Sequence, residues 1–384
     1  MQSWDIFCAV VDHYGDIGVC WRLARQLADE FDAKVRLWVD DLESFSRLCS
    51  SVSCDVARQQ IGLIEVAHWP SDFPQVDAAD VVIEAFACEI PSVYVAAMSC
   101  RTIPPVWINL EYLTAEDWVD ECHLLQSPQA GTRLTKYFFF PGFTTRTGGL
   151  IRERDLMAMR SAFGTKEIAD FRNRLGIPVE PESELCVSLF CYDNAALPEL
   201  LQCWSEGPIP VRVFAAPGAA SKQVTGWFGQ AAADGPLFRQ GQQILTVGPF
   251  QKGCLTVHFL PFLPQPDYDH LLWACDINMV RGEDSFVRAQ WARQPFIWQI
   301  YPQAGNAHIA KLTAFVDRYL ESFDDADVVR RCFEAWNGAG NIGSAWRDFA
   351  AKRVSIGSHG NLWARQLDRT SDLANNLVRF VSED

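Results

Sequence analysis

Trp4 to Ala28, WDIFCAVVDHYGDIGVCWRLARQLA, changes hydrophobic period in its middle, and that change decides the fold. Ile6, Phe7, Ala9, Val10 and Val11 form a short, nearly continuous apolar run, the pattern of a strand buried on both faces of a parallel sheet. From Ile17 the apolar residues fall at helical spacing. Cys20, Leu23, Ala24, Leu27 and Ala28 share one face, with Arg22, Arg25, Gln26 and Asp29 turned away from it. The intervening loop, Asp12-His13-Tyr14-Gly15-Asp16-Ile17-Gly18, therefore joins a strand's carboxyl end to a helix's amino end, the edge where open α/β sheets bind ligands.

Gly15 and Gly18 lack a Cβ, so the backbone there can take positive φ and let a substrate approach closely, with Asp12 and Asp16 pointing at it. The three-glycine dinucleotide fingerprint is missing, and an acid would face a phosphate unfavourably, so a dehydrogenase is the weakest reading. A cationic or hydroxyl-bearing substrate suits the two acids better. The competing readings are a helix cap for Asp16 and an ordinary strand-end acid for Asp12.

At 384 residues the chain predicts two domains of about 150 to 200 residues each, and its 49% hydrophobic content can fill both cores. The formal charge of -15 argues against non-specific nucleic-acid binding and favours a basic partner surface. None of the 13 cysteines forms a C-x-x-C pair, which points away from zinc ribbons and thioredoxin-like motifs and towards free thiols in a reducing cytoplasm. Neither a secretory leader nor a run of ~18 apolar residues is visible, so no membrane is expected.

Further apolar strands are predicted at Val35 to Val39, Ile61 to Trp69, Val81 to Phe86 and Val106 to Leu110. Helices are expected around Leu42, Phe45 and Leu48 and over Val93 to Met98, an alternation that gives a parallel sheet with helices on both faces. Thr114-Ala-Glu-Asp117 resembles a capping box opening a helix. Lys136 to Gly149, dense in aromatics and glycine, fits neither period. It reads as a lobe over the cleft or as an acceptor surface.

The clearest boundary is the proline- and acid-rich stretch from Gly176 to Glu184. A second alternating region follows, with strands at Leu185 to Phe190, Val211 to Ala215, Thr256 to Leu260, Ile277 to Val280 and Phe296 to Ile300. Helical patterns cover Ala195 to Trp204, Tyr268 to Cys275, Phe286 to Ala292 and, with a glycine-rich break at Asn337 to Gly343, Ala326 to Val381. Val280-Arg-Gly-Glu-Asp-Ser-Phe286 occupies the same kind of edge as the first loop. A helix amino terminus there, with Arg281 and the Ser285 hydroxyl, is a ready seat for a diphosphate, and Glu283 can accept from sugar hydroxyls. Phe190, Tyr192 and Phe262 stand at strand ends, where they either stack on a pyrimidine or belong to the core. An ion pair with Glu283 or Asp284 is the plain alternative for Arg281, and a helix cap for Asp284 and Ser285.

DIFCAVVDHYGDIGVCWRLARQLA with RLWVDDL, and LPFLPQPDYDHLLWACDINMVRGEDSFVRAQWARQPFIWQIYPQ, resemble the bacterial protein-arginine rhamnosyltransferases that modify translation elongation factor P, across essentially the full length. The resemblance implies a GT-B fold, two Rossmann-like domains facing across a cleft. An acceptor-side domain would cover 1–176, rejoined by a C-terminal helix at about 360–384, and a nucleotide-sugar domain 184–360. It implies an inverting transfer of L-rhamnose from dTDP-β-L-rhamnose to one arginine of elongation factor P, without a metal or cofactor, which activates the factor for rescue at polyproline. Position by position, Asp12, Asp16 and Glu283 match the family acids, with Asp16 as general base. Phe190, Tyr192, Phe262, Gln265, Arg281, Asp284 and Ser285 match donor-contacting positions. His13 departs from the family, where Asn is commoner. The chemistry agrees: a guanidinium is a poor nucleophile until a carboxylate orients it and removes a proton. A nucleotide-sugar epimerase or hydrolase on the same fold, and a non-catalytic nucleotide-binding module, are the competing functions.

Overall fold

The computed structural model describes residues 2–12, 14–177, 184–229 and 247–383, so His13 and most of the expected linker, 178–183, lie outside the described residues. The chain divides into two units, Met1–Leu156 with Gln366–Asp384, and Met157–Arg365.

The first unit runs β1 (Ser3–Cys8), α1 (Gly15–Phe31), β2 (Lys34–Val39), α2 (Leu42–Leu48), β3 (Arg58–Ile61), β4 (Ile64–His68), β5 (Val81–Ala85), α3 (Ser92–Cys100), β6 (Val106–Leu110), α4 (Val119–Cys122), β7 (Gln126–Pro128) and β8 (Thr135–Phe139). The second runs α5 (Leu156–Ala162), α6 (Thr165–Arg174), β9 (Leu185–Leu189), α7 (Leu197–Glu206), β10 (Val211–Ala215), α8 (Ala219–Phe228), β11 (Val247–Lys252), β12 (Leu255–Phe259), α9 (Gln265–Ala274), β13 (Ile277–Arg281), α10 (Asp284–Ala292), β14 (Phe296–Gln299), α11 (Ala307–Tyr319), α12 (Ala326–Trp336), α13 (Ile342–Ala351) and α14 (Arg353–Leu367). The last helix, α15 (Leu373–Glu383), belongs to the first unit.

The first sheet has the order β3-β4-β2-β1-β5-β6-β8-β7 and the second β11-β12-β10-β9-β13-β14. The pairings are parallel except at the edges, where β3, β7 and β11 run antiparallel to their neighbours. In the first sheet the chain leaves β1 towards β2 on one side and returns to β5 on the other, with β1 paired to both. The second repeats this plan, with β9 between β10 and β13. Each sheet thus has a topological switch point, β1/β5 and β9/β13, where the loops beyond the carboxyl ends of the strands diverge and leave a crevice. Both candidate loops stand at those points.

The first core gathers Phe7, Trp38, Phe73, Tyr94 and Trp107 over one sheet face. On the same face the buried Asp5 carboxylate is held by Arg36 at 2.5 and 2.8 Å and accepts from the Tyr94 hydroxyl, so the charge is paired as burial requires. No helix among the described residues is long and apolar enough to cross a membrane.

Several sequence expectations need correction. The first strand ends at Cys8, and Val11 is an exposed loop residue. Arg22 and Gln26, expected to face solvent, are buried, because Arg152, Glu153 and the segment leading into α15 cover that face of α1. Arg22 pairs with Glu153 at 3.2 Å, and Gln26 donates to the carbonyl of Arg152 and to Asp372. Ile61 to Trp69 is mostly the second arm of a β3–β4 hairpin that turns at Gly62, whose φ is 59°. Thr114 opens no helix: its hydroxyl closes on Glu116, and α4 starts at Val119 without a side-chain cap. The stretch that fits neither period, Lys136 to Gly149, opens on a strand: Thr135–Phe139 is β8, with Tyr137 and Phe139 against Phe380. The first unit's main segment ends at Leu156 instead of 176. The reason is burial: Phe171, Leu175 and Ile177 pack on Cys186, Phe214, Leu271 and Cys275 of the second unit.

Candidate active site

In the first unit the crevice is built on the loop between β1 and α1. Asp16, the second residue of α1, is 2% exposed. Its carboxylate does not cap its own helix, whose N-cap is Tyr14 without a side-chain bond. It folds back over the preceding loop: Oδ2 accepts from the amides of Val11 at 2.9 Å and Asp12 at 2.8 Å, and Oδ1 accepts the Tyr112 hydroxyl at 3.1 Å. Two amides on one oxygen and one phenol on the other fix the carboxylate while leaving Oδ1 lone-pair capacity for a substrate N–H.

Asp12 is half-buried beside it. Gly15 and Gly18 serve the loop in another way than positive φ. Both lie in α1, and Gly15 donates its amide to the Asp12 carbonyl at 2.7 Å. An added Cβ at Gly15 would stand 2.6 Å from Asp12 Oδ2, so glycine is needed to let the carboxylate pass.

Below this loop the Cys8 thiol is pushed well above its ordinary range by its hydrogen bond with Cys20 and by burial, which keeps it a thiol. It is no nucleophile.

In the second unit Gly282 turns the chain between β13 and α10 with a φ of 61°, and its carbonyl accepts from Trp298 Nε1 at 2.8 Å. The turn places Arg281 at the end of β13, 8% exposed, with its guanidinium 4.5 Å from the Phe190 ring centre and 4.3 Å from that of Tyr192. These two aromatics thus hold a guanidinium by cation–π attraction, instead of standing open. The Ser285 hydroxyl, expected on a phosphate, closes on Arg281: it accepts from that residue's amide at 3.2 Å and donates to its carbonyl. Neither Asp284 nor Ser285 is the N-cap, which is Glu283. Gln265, the first residue of α9, donates to Asp284 at 3.4 Å, and both are buried. Phe262 lies half-buried in the loop from β12 to α9, at the same sheet edge.

The structure thus gathers Phe190, Tyr192, Arg281 and Ser285 into one cluster and joins Gln265 to Asp284. Cys191, within the cluster, is pushed up to about 12 by burial, which outweighs the opposing pull of Arg281, so its thiol stays protonated. Among the described residues no group of three His, Cys, Asp or Glu side chains is placed to hold a metal ion. Tyr112 is the contact that sequence reading does not single out. Its one signal is its place, two residues beyond the apolar strand VWINL, and its partner is 96 positions away.

Residues 4–382 match the family model described as Elongation-Factor P (EF-P) rhamnosyltransferase EarP. The chain is 46% identical over 383 residues to a protein-arginine rhamnosyltransferase of Pseudomonas putida, covering 98% of each chain. It is 43% identical to one of Pseudomonas aeruginosa over the whole of both. A solved structure described as the structural basis for EarP-mediated arginine glycosylation of translation elongation factor EF-P superimposes over 100% of both chains, with a TM-score of 0.69 and 32% identity. Acinetobacter baumannii MurG, at 12% identity and a TM-score of 0.50, shares the two-domain α/β fold alone. With the family model and these relatives spanning nearly every residue, the chain is an enzyme of the EarP family of protein-arginine rhamnosyltransferases.

Proposed function

We propose that this enzyme moves L-rhamnose from dTDP-β-L-rhamnose to a guanidine nitrogen of one arginine of translation elongation factor P, with inversion at C1, and so activates the factor at polyproline stalls. The observation that carries the reading is the Asp16 carboxylate, buried at the first switch point and fixed by two amides and a phenol. A guanidinium has a pKa above ~12 and shares its lone pair across three nitrogens, so it attacks only as a base takes a proton. In the proposed step the nitrogen–C1 bond forms while the bond from C1 to the diphosphate oxygen breaks. The proton passes to Asp16, and dTDP departs with the electron pair. Asp12 orients the other edge of the guanidinium.

On the donor side, Arg281 and the first-turn amides of α10 oppose the charge growing on the diphosphate. Phe262 covers the base together with the ring faces of Phe190 and Tyr192 that Arg281 does not occupy, Gln265 and Asp284 bind as a pair, and Glu283 accepts from the sugar hydroxyls. The Ser285 hydroxyl, closed on Arg281 in the structure, must rotate to reach a phosphate.

The test is intact-mass spectrometry of unmodified factor incubated with enzyme and dTDP-β-L-rhamnose. One deoxyhexose on one arginine is expected, with Asp16→Asn slowing transfer by about a thousandfold or more and leaving donor affinity unchanged. An Asp16→Asn enzyme within about tenfold of the parent rate removes Asp16 as base. Donor consumption without modified factor sends the reading to a hydrolase.

A further inference from the structure

We propose that the stacked ring pair Phe86–Tyr112 is the seat of the acceptor guanidinium, and that Tyr112 is a positioning residue that aims Asp16 at it. This deepens the reading above and rests on it. Phe86 directly follows β5 and Tyr112 lies just beyond β6, so both rings stand at the carboxyl edge of the sheet, flanking the same switch point as Asp16. The rings stack at 4.4 Å between centres and 16° between planes, both half-buried, and the Tyr112 hydroxyl reaches Asp16 Oδ1.

The backbone carrying Phe86 is held in an unfavourable form. Phe86, Ala87 and Glu89 take φ values of 57°, 54° and 52°, the left-handed region that side chains with a Cβ avoid. Buried polar groups enforce it. Asn109 Oδ1 accepts from the Ala87 amide at 3.1 Å, Glu84 Oε1 accepts from the Glu89 amide at 3.2 Å, and the Phe86 amide donates to the Leu110 carbonyl at 2.7 Å. Asn109 and Glu84 are 1% and 2% exposed. The turn sends Cys88 and Ile90 into the first core and leaves Ala87 and Glu89 exposed. It also lays Phe86 flat on Tyr112.

A flat π surface beside a fixed carboxylate matches a guanidinium. The delocalised cation lies on the ring face while its N–H edge meets Asp16, and Glu111, tied to Asn109 at 2.5 Å, adds negative charge nearby. The chain holds its own Arg281 against Phe190 and Tyr192 in the same manner. A lysine ammonium has no plane to match, so the seat selects arginine.

Steady-state transfer, with elongation factor P varied at saturating dTDP-β-L-rhamnose, separates the two roles. Phe86→Leu keeps the apolar volume and loses the π face. It is expected to raise the acceptor KM by about tenfold with little change in kcat, and Phe86→Tyr to restore it. Tyr112→Phe keeps the stack and loses the hydroxyl. It is expected to lower kcat by about tenfold with acceptor KM within about twofold. A parent-like KM in Phe86→Leu overturns the seat, and a parent-like kcat in Tyr112→Phe overturns the positioning role. Should Asp16→Asn transfer at the parent rate while Phe86→Leu still raises KM, the base assignment falls and the seat stands.

Discussion

Gly15 is needed for its neighbour and not for its own backbone. Its φ is ordinary, yet a methyl group there would press on Asp12 Oδ2, which is the mobile end of a side chain and not a wall of backbone. Gly15→Ala is therefore expected to swing the Asp12 carboxylate aside at a stability cost of no more than about 1 kcal/mol, while slowing transfer by about tenfold through the misplaced acid. Thermal unfolding beside the mass-based rate checks this. A parent-like rate would mean that Asp12 has no fixed place in the reaction. At this scale the sequence was a good guide to which residue types meet and a poor one to how they meet. The acids of the first loop and the RGEDS turn were legible because each lies on one short segment. The hydroxyl of Tyr112 on Asp16 was not, since only the β1-β5-β6 order brings residues 96 positions apart together. Nor could spacing show that Ser285 would turn back onto Arg281.

The interior parallel strands read directly from their apolar runs, as at Val106–Leu110 and Val211–Ala215, because burial on both faces leaves no alternation to misread. The antiparallel edges did not: β7, QSP, and β3, RQQI, are short and polar, and their pairing is set by the hairpin and not by a pattern. One interior pair carries a prediction about pH. On β12, His258 is 2% exposed, and its Nε2 lies 2.9 Å from Arg212 NH1 on β10, with Glu184 on the other side of that guanidinium at 2.7 Å. The contact requires a neutral imidazole that accepts from the arginine. Burial first, and then Arg212, push His258 down to about 4. In the first unit burial pushes His123, whose Nδ1 accepts from the Phe140 amide, to about 4 as well. Both values are below the ordinary 6.5, so the unfolded chain binds these protons first. Stability is intact above about pH 6.5 and declines as pH falls towards 4, by of order 2 kcal/mol for His258. Urea midpoints between pH 7 and 4.5 should fall accordingly, and His258→Gln should flatten the slope for the second unit. An unchanged slope in that variant would assign the pH dependence to other groups.

The chain passes between the units twice, near Leu156 and again near Arg365, and the second passage returns α15 to the first unit. That return is structural for the first unit. Leu373, Ala374, Leu377 and Val381 are buried, Gln26 of α1 donates to Asp372, Arg152 pairs with Asp368 at 2.5 Å, and the Leu373 amide donates to the Leu150 carbonyl at 3.0 Å. Gly149 has a φ of 76°, and a Cβ there would collide with the carbonyl of Ser371, so the segment fits closely as well as widely. Burying the three larger apolar side chains contributes roughly 5 kcal/mol, a large part of a domain's usual 5 to 15. Deletion of residues 367–384 should therefore unfold the first unit, exposing α1 along the face that carries Arg22 and Gln26, while the second unit keeps its own core. Limited proteolysis should show cuts within 1–156 and a protected fragment beginning near 157. Because the donor-contacting candidates lie in that fragment and Asp16 does not, the truncated chain is expected to bind dTDP-β-L-rhamnose and transfer none of it. Protection of both units after the deletion would show that α15 covers a surface the first unit can leave exposed. Loss of donor binding together with transfer would show that the two units do not hold their stability separately.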